Sequence, residues 1–393
     1  MDLNSAPRRA LRKLRMEGLS ELLAEGRTTL YVDLLLHRGL YHHVLLDRLE
    51  IVTRNDIRRL PGYVQYENTD ARVKYKGQRG LGDEGKRFEA ADRFVCELNS
   101  AWLLGPVGPV LTSEGKIIAE TVAPPPLVER RVGVSLAQSM DKNGIRRTLD
   151  ALSGNIRPDC QFETAAFAVP AWGNYYHWTV ECLIRTRLLE RHGEATGTYP
   201  TLLVPENRPR WMDETLDLLD YSGPVTGLNS CIAAVDTLVV PTFPDPTPAE
   251  CHWLRERMRT GAGVGGGSSQ ERVFIARDDA TVRRISNQSA VRQVLDQHDI
   301  EIYLLNELSV REQVKLFSQA ELVVAPHGAG LTNIIYGEEL AVVELFGEKT
   351  VGTFDRIAEN MSHNYRYINC EQDGVDIFVS PGKLDQEINQ ILE

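Results

Sequence analysis

The stretch from residue 273 to residue 345 constrains the fold most. Val273–Ala276, Ile300–Leu304, Glu321–Val324 and Ala341–Leu345 read as short apolar strands. Between them, Gln288–Gln297, Ser309–Gln319 and Gly330–Tyr336 read as helices. Asn287 stands where it can cap the first helix, and Ser309-Val310-Arg311-Glu312 has capping-box spacing. Strands alternating with helices predict a parallel, doubly wound α/β sheet, whose ligands lie beyond the carboxyl ends of the strands. The residues that follow Ala276, Val324 and Leu345 therefore carry the most information.

The rest of the chain extends this picture. With 393 residues it is long enough for two to three domains. Its 44 basic and 55 acidic residues leave a net charge of −11, which argues against a surface given over to nucleic acid. Residues 160–245 also read as α/β. Strands are expected at Thr164–Val169, Thr201–Val204 and Thr237–Val240, with helices at Trp178–Glu190 and Arg210–Leu219. Residues 94–122 break into short apolar runs punctuated by Gly-Pro pairs, a pattern of short strands and turns that Pro124-Pro125-Pro126 closes. Residues 1–25 place Arg8, Arg9, Arg12, Lys13 and Arg15 among leucines at helical spacing. This predicts an amphipathic helix, either packed on the body or resting on an anionic membrane or partner. Thr260–Gln270 (TGAGVGGGSSQ) has linker composition. The six cysteines form no Cys-x-x-Cys pair, a pattern expected of reduced thiols in the cytoplasm. Neither a membrane-spanning run nor a signal peptide is expected.

Three constellations carry chemistry. After Val324 comes Ala325-Pro326-His327-Gly328-Ala329-Gly330-Leu331-Thr332-Asn333, a buried strand entering a small-residue turn and then a helix. Such a turn either lets backbone amides approach a phosphate or is simply tight. After Ala276 come Arg277, Arg283 and Arg284, cations suited to bidentate phosphate contacts, with Arg283 reading more as a surface residue. Third, Asn174-Tyr175-Tyr176-His177-Trp178 is followed by Glu181. His177 and Glu181, four apart, would share a helix face as an acid/base pair. No Gly-x-Gly-x-x-Gly supports a nicotinamide oxidoreductase, and no nucleophile motif supports a hydrolase.

In this order, Asn174 to Glu181, Arg277 to Asn287, His327 to Asn333 and Glu344-Leu345 resemble glycosyltransferase family 61 over about residues 95–350. The resemblance implies a GT-B type α/β fold of two facing Rossmann-like domains. Here these would be an acceptor-side domain at 136–260 and a nucleotide-sugar domain at 261–393, after an N-terminal extension at 1–135 that contains short strands. It implies an inverting hexosyl- or pentosyltransferase that uses a nucleoside diphosphate sugar, most commonly UDP-linked, and a glycan or lipid-linked glycan acceptor. It implies no cofactor and no metal, and the sequence has no Asp-x-Asp pair. Glu181 or His177 would be the base. Arg277, Arg284, His327, Gly328, Ala329, Gly330 and Asn333 would face the donor, and Asn174, Tyr176 and Trp178 the acceptor. Glu344 would either hold a ribose hydroxyl or be a buried structural carboxylate. Thr260–Gln270 would be the hinge. A cytoplasmic location, with peripheral contact at the inner membrane face, is expected. The alternative is a non-catalytic nucleotide-sugar or glycan-binding subunit on the same fold.

Overall fold

The computed structural model describes residues 49–393 apart from 68–72, 75–80, 82–86, 89–91, 106–107, 123–127, 170–172, 230–231, 244–246, 266–269, 279 and 349, together with Leu14 and Gly26. The amphipathic helix expected at 1–25 and the Pro124–Pro126 segment lie outside the described residues.

One sheet contains β1 (Ile51–Val52), β2 (Tyr63–Glu67), β3 (Arg93–Leu104), β4 (Val110–Thr112), β5 (Ile117–Ile118), β6 (Cys160–Phe167), β7 (Thr201–Pro205), β8 (Val225–Leu228) and β9 (Ile232–Pro241). Its strands lie in the order β1-β5-β4-β3-β9-β6-β7-β8, with β2 also paired to β3. Strands β9, β6, β7 and β8 are mutually parallel. Numbered within this group they run 3-2-1-4, so the order reverses between β6 and β9. The expected short strands at 94–104 are instead one twelve-residue strand, β3. It is held antiparallel along β9 from Val95–Pro241 to Leu104–Ile232, and its polar Asn99-Ser100 interruption is exposed. The sheet thus joins the N-terminal strands to the α/β segment.

The second sheet contains β10 (Glu271–Ile275), β11 (Glu301–Tyr303), β12 (Ala320–Pro326), β13 (Ala341–Phe346) and β14 (Asn364–Asn369). All of its pairings are parallel. The order β11-β10-β12-β13-β14 is 2-1-3-4-5, with its switch point between β10 and β12. Strand β13 is buried at every position, as expected of a parallel strand covered on both faces.

Helices shared between the sheets tie them together. One apolar cluster contains Ala166 and Val204 of the first sheet, Val323 and Val342 of the second, and Leu254, Phe317 and Ile335 between them. Leu254 belongs to Pro248–Ala262, a helix the sequence reading did not anticipate, opened by a Thr247–Glu250 capping box. Its last turn includes Thr260–Ala262, so the expected linker begins as helix and is capped by Gly263 at φ 67°. The helix Gln288–Gln297 forms as expected, but Asn287 does not cap it. Its side chain instead bonds both polar groups of the Val379 backbone, at 2.8 and 3.0 Å. Among the described residues, no helix is long and apolar enough to cross a membrane.

Candidate functional site

Each switch point carries a histidine paired with a glutamate. On the first sheet, β6 leads to Asn174, whose side chain accepts the His177 N–H at 3.1 Å and starts a helix. One turn later the backbone opens into a π turn over Trp178–Cys182, then tightens into a 3-10 turn over Leu183–Arg185 before the α-helix Thr186–Thr196. Local π turns of this kind recur at functional sites. His177 Nδ1 comes within 2.9 Å of Glu181 Oε1. Glu181 is buried and accepts two further bonds, at 2.8 and 2.9 Å, from the guanidinium of Arg131. Burial pushes its carboxyl up, but the bonds and charges of His177 and Arg131 outweigh this and hold it below the ordinary glutamate value. Glu181 is therefore an ionised, fully engaged carboxylate, whereas His177 remains partly exposed.

Arg131 comes from the helix Val128–Asn143 and had no signal in the local motif. It and Arg185 flank the ring of Phe243, with guanidinium carbons 5.6 and 5.0 Å from the centroid. Arg185 is buried and donates to the Glu120 carbonyl at 2.8 Å. The Glu120 carboxylate in turn binds Arg54 and the Phe243 N–H. Burial lowers the proton affinity of Arg185, with the neighbouring negative charges opposing it.

On the second sheet, β12 delivers His327 and the glycine turn. A methyl group added at Gly328 would stand 1.9 Å from Arg277 Nη1, and one at Gly330 would stand 2.9 Å from Leu305 Cδ1. Only glycine lets the guanidinium from the end of β10 lie on the turn that follows β12. His327 Nδ1 bonds Glu344 Oε1, and Tyr365 donates its hydroxyl proton to the other oxygen. Glu344 is fully buried; burial pushes its carboxyl up despite both bonds. It fixes His327 and has no oxygen turned to solvent, so it takes the structural role rather than holding a ribose.

Three further expectations change. Asn333 is fully buried, donates to the Gly330 carbonyl at 3.1 Å and to Gln313 at 3.0 Å, and accepts from Tyr175 at 3.1 Å. It holds the turn together and does not face a donor. Trp178 is fully buried with its indole N–H on Thr215 at 2.8 Å, which removes it from any acceptor surface. Arg284 is drawn toward Asp376, which accepts its backbone N–H at 3.0 Å and lies 3.7 Å from its guanidinium. Arg283, at φ 59°, is half-buried, and its backbone N–H bonds the Val375 carbonyl at 2.7 Å. Burial lowers its proton affinity, and Glu344 supplies the opposing charge.

The two sites are neighbours. The Tyr176 ring stands 5.2 Å from His177 and 5.7 Å from Phe354, and Phe354 stands 5.4 Å from His327, which also stacks on Phe346. Tyr175 further bridges Asn333 and Tyr336, at 3.1 and 3.0 Å. Among the described residues, no group of three or more His, Cys, Asp or Glu side chains is placed to hold a metal ion.

No curated protein matches the chain. Residues 175–343 match the family model described as Glycosyltransferase 61. The match opens at Tyr175 beside the first switch point, runs through Arg277 and the glycine turn at the second, and closes on β13, so this segment of the chain is similar to glycosyltransferase family 61.

Proposed function

We propose that this protein is a member of glycosyltransferase family 61 and an inverting transferase that moves a hexosyl or pentosyl group from a UDP-linked sugar to a hydroxyl of a glycan or lipid-linked glycan. The observation that carries the reading is the Arg277 guanidinium lying on Gly328 at the switch point of the parallel sheet. A cation there, beside the amides at the start of the 329–336 helix, suits a diphosphate whose charge grows as the glycosidic bond breaks. Arg277 and Arg283, with His327 at the rim, take the part that a divalent ion plays in metal-dependent transferases. Domain closure in the GT-B manner would bring the acceptor to the donor.

His177 is the base in this proposal. Its Nδ1 side is turned to Glu181, which Arg131 locks, and in the proposed reaction the partly exposed imidazole takes the acceptor hydroxyl proton. Glu181 itself is a weak candidate, because its oxygens already accept from Arg131 and face His177. The deprotonated hydroxyl attacks the anomeric carbon from the face opposite the diphosphate, which inverts the centre. Asn174 and Tyr176, beside His177, border the acceptor. The proposed setting is cytoplasmic, with peripheral contact at a membrane carrying the acceptor.

A thermal-shift screen of nucleotide sugars with and without EDTA, followed by UDP release with acceptor mixtures, tests this. Stabilisation by a UDP-sugar that survives EDTA, with acceptor-dependent release, is expected. A requirement for a divalent ion would overturn the metal-free part. Donor binding without release from any acceptor would favour a binding subunit.

A further inference from the structure

We infer that Arg185 is a positioning residue whose buried, unbalanced charge keeps His177 neutral and ready to accept a proton, resting on the reading of His177 as the base. Behind the π turn, Arg54 pairs with Glu120 and Arg131 with Glu181. Arg185 is left over. It is 2% exposed, and its Nη2 donates to the Glu120 carbonyl at 2.8 Å. Its Nε and Nη1 are buried with no hydrogen-bond partner among the described residues. The nearby Cys182 does not balance the charge, because burial pushes that thiol up to about 12 and leaves it uncharged at neutral pH. A guanidinium buried without a carboxylate costs stability, and the Phe243 ring, 5.0 Å away, recovers only part of it. Costs of this kind are expected where the group serves the chemistry.

His177 poses the opposite problem. A carboxylate 2.9 Å away favours imidazolium, and a histidine that already carries the proton cannot take one from the acceptor. Arg131 offsets part of the Glu181 charge through its two bonds. Arg185, which interacts electrostatically with both Glu181 and Glu120, adds a second cation behind the same carboxylate. The other groups on this side add little charge of their own. Tyr176, whose ring is 5.2 Å from His177, keeps its phenol proton because it is buried, and the Cys251 thiol is likewise pushed up to about 12. From the helix Thr353–Asn360, Arg356 acts on Tyr176 and Asp355 acts on Glu344. Arg185 itself is too buried to touch either substrate, so it acts through Glu181.

The test is an NMR titration of the His177 ring in the full chain, with the resonance assigned through His177→Gln, read beside the pH profile of transfer. Arg185→Met should raise the pH at which His177 is half protonated, and with it the acid limb of the profile, by about one unit. Glu120→Gln, which removes an anion from the same cluster, should lower both. Arg185→Lys, which keeps the charge, should leave both where wild type has them. A merely structural role would lower the rate at every pH and move neither. An unmoved titration in Arg185→Met, or shifts of the same sign in Arg185→Met and Glu120→Gln, would overturn the inference. Should Arg185→Met fail to fold, an unmoved or raised titration in Glu120→Gln would overturn it. The expected shifts in a protein that transfers no sugar would instead overturn the reading of His177 as the base and leave the placement of the charge standing.

Discussion

The two histidine–glutamate pairs look alike and are built for different work. At the first switch point, Glu181 is buried, yet two guanidinium bonds and His177 hold it ionised. At the second, Glu344 is buried deeper, its partners are a histidine and a tyrosine, and burial wins, raising its proton affinity. The difference is Arg131: a full positive charge in bidentate contact offsets desolvation, whereas a phenol hydroxyl does not. The first pair therefore presents a fixed negative charge behind a partly exposed imidazole, the arrangement expected of a base. The second is a closed clamp that holds a histidine ring against Phe346 beside an anion-binding turn.

The comparison can be broken at several points, in order of expected effect. His177→Ala should reduce transfer by at least ~100-fold while leaving UDP affinity unchanged, since general base catalysis contributes on that scale. Preserved transfer would remove His177 from the proton path. Gly328→Ala should weaken UDP binding by roughly 10–100-fold, as the added methyl displaces the Arg277 guanidinium. Calorimetry that finds wild-type affinity would separate the turn from the phosphate site. Glu181→Gln should lower transfer by about 10–100-fold with donor affinity intact, because it leaves Arg131 buried without its anion and His177 without its charged partner. Glu344→Gln should change transfer much less and act mainly on donor affinity; matched losses in both variants would erase the distinction between the pairs.

A smaller effect concerns the turn's support. His363 bridges the 329–336 helix and β13, accepting the Leu340 N–H at 3.1 Å and bonding the Ile334 carbonyl at 2.8 Å. Burial lowers its proton affinity to about 4 from an ordinary 6.5. Between these values the unfolded chain binds the proton and the folded chain does not, so stability falls as the pH drops below 6.5. Denaturant melts should show about 2 kcal/mol less stability at pH 5 than at pH 6.5 from this group, a loss removed in His363→Asn. A pH dependence unchanged by the substitution would contradict the assignment.

What the sequence made legible follows from the range of each interaction. Local patterns were sufficient for the second sheet: apolar runs with both faces covered, the Ser309–Glu312 capping box, and the glycine turn after β12. His177 and Glu181 were legible because four-residue spacing brings them together, even through a π turn. The Pro248–Ala262 helix had a readable signal in Thr247-Pro248 and Glu250 that mixed charged and apolar residues obscured. Arg131 was not legible, because it reaches Glu181 from fifty residues away and tertiary packing alone pairs them. Trp178 and Asn333 misled for a related reason. A polar or aromatic residue beside a motif reads as functional until burial and its partners, here Thr215 and Gln313, are known. Arg283 and Arg284 could not be told apart without Asp376, which lies about ninety residues downstream and draws in Arg284.

The central claim is a division of labour: proton transfer at His177 and diphosphate binding at Arg277. The most direct measurement is UDP titration calorimetry of His177→Ala and Arg277→Ala side by side. The account predicts wild-type affinity for His177→Ala and a loss of about 100-fold for Arg277→Ala, whose charge-assisted bonds to the diphosphate are removed. Equal affinities in the two variants, or the loss appearing in His177→Ala instead, would contradict it.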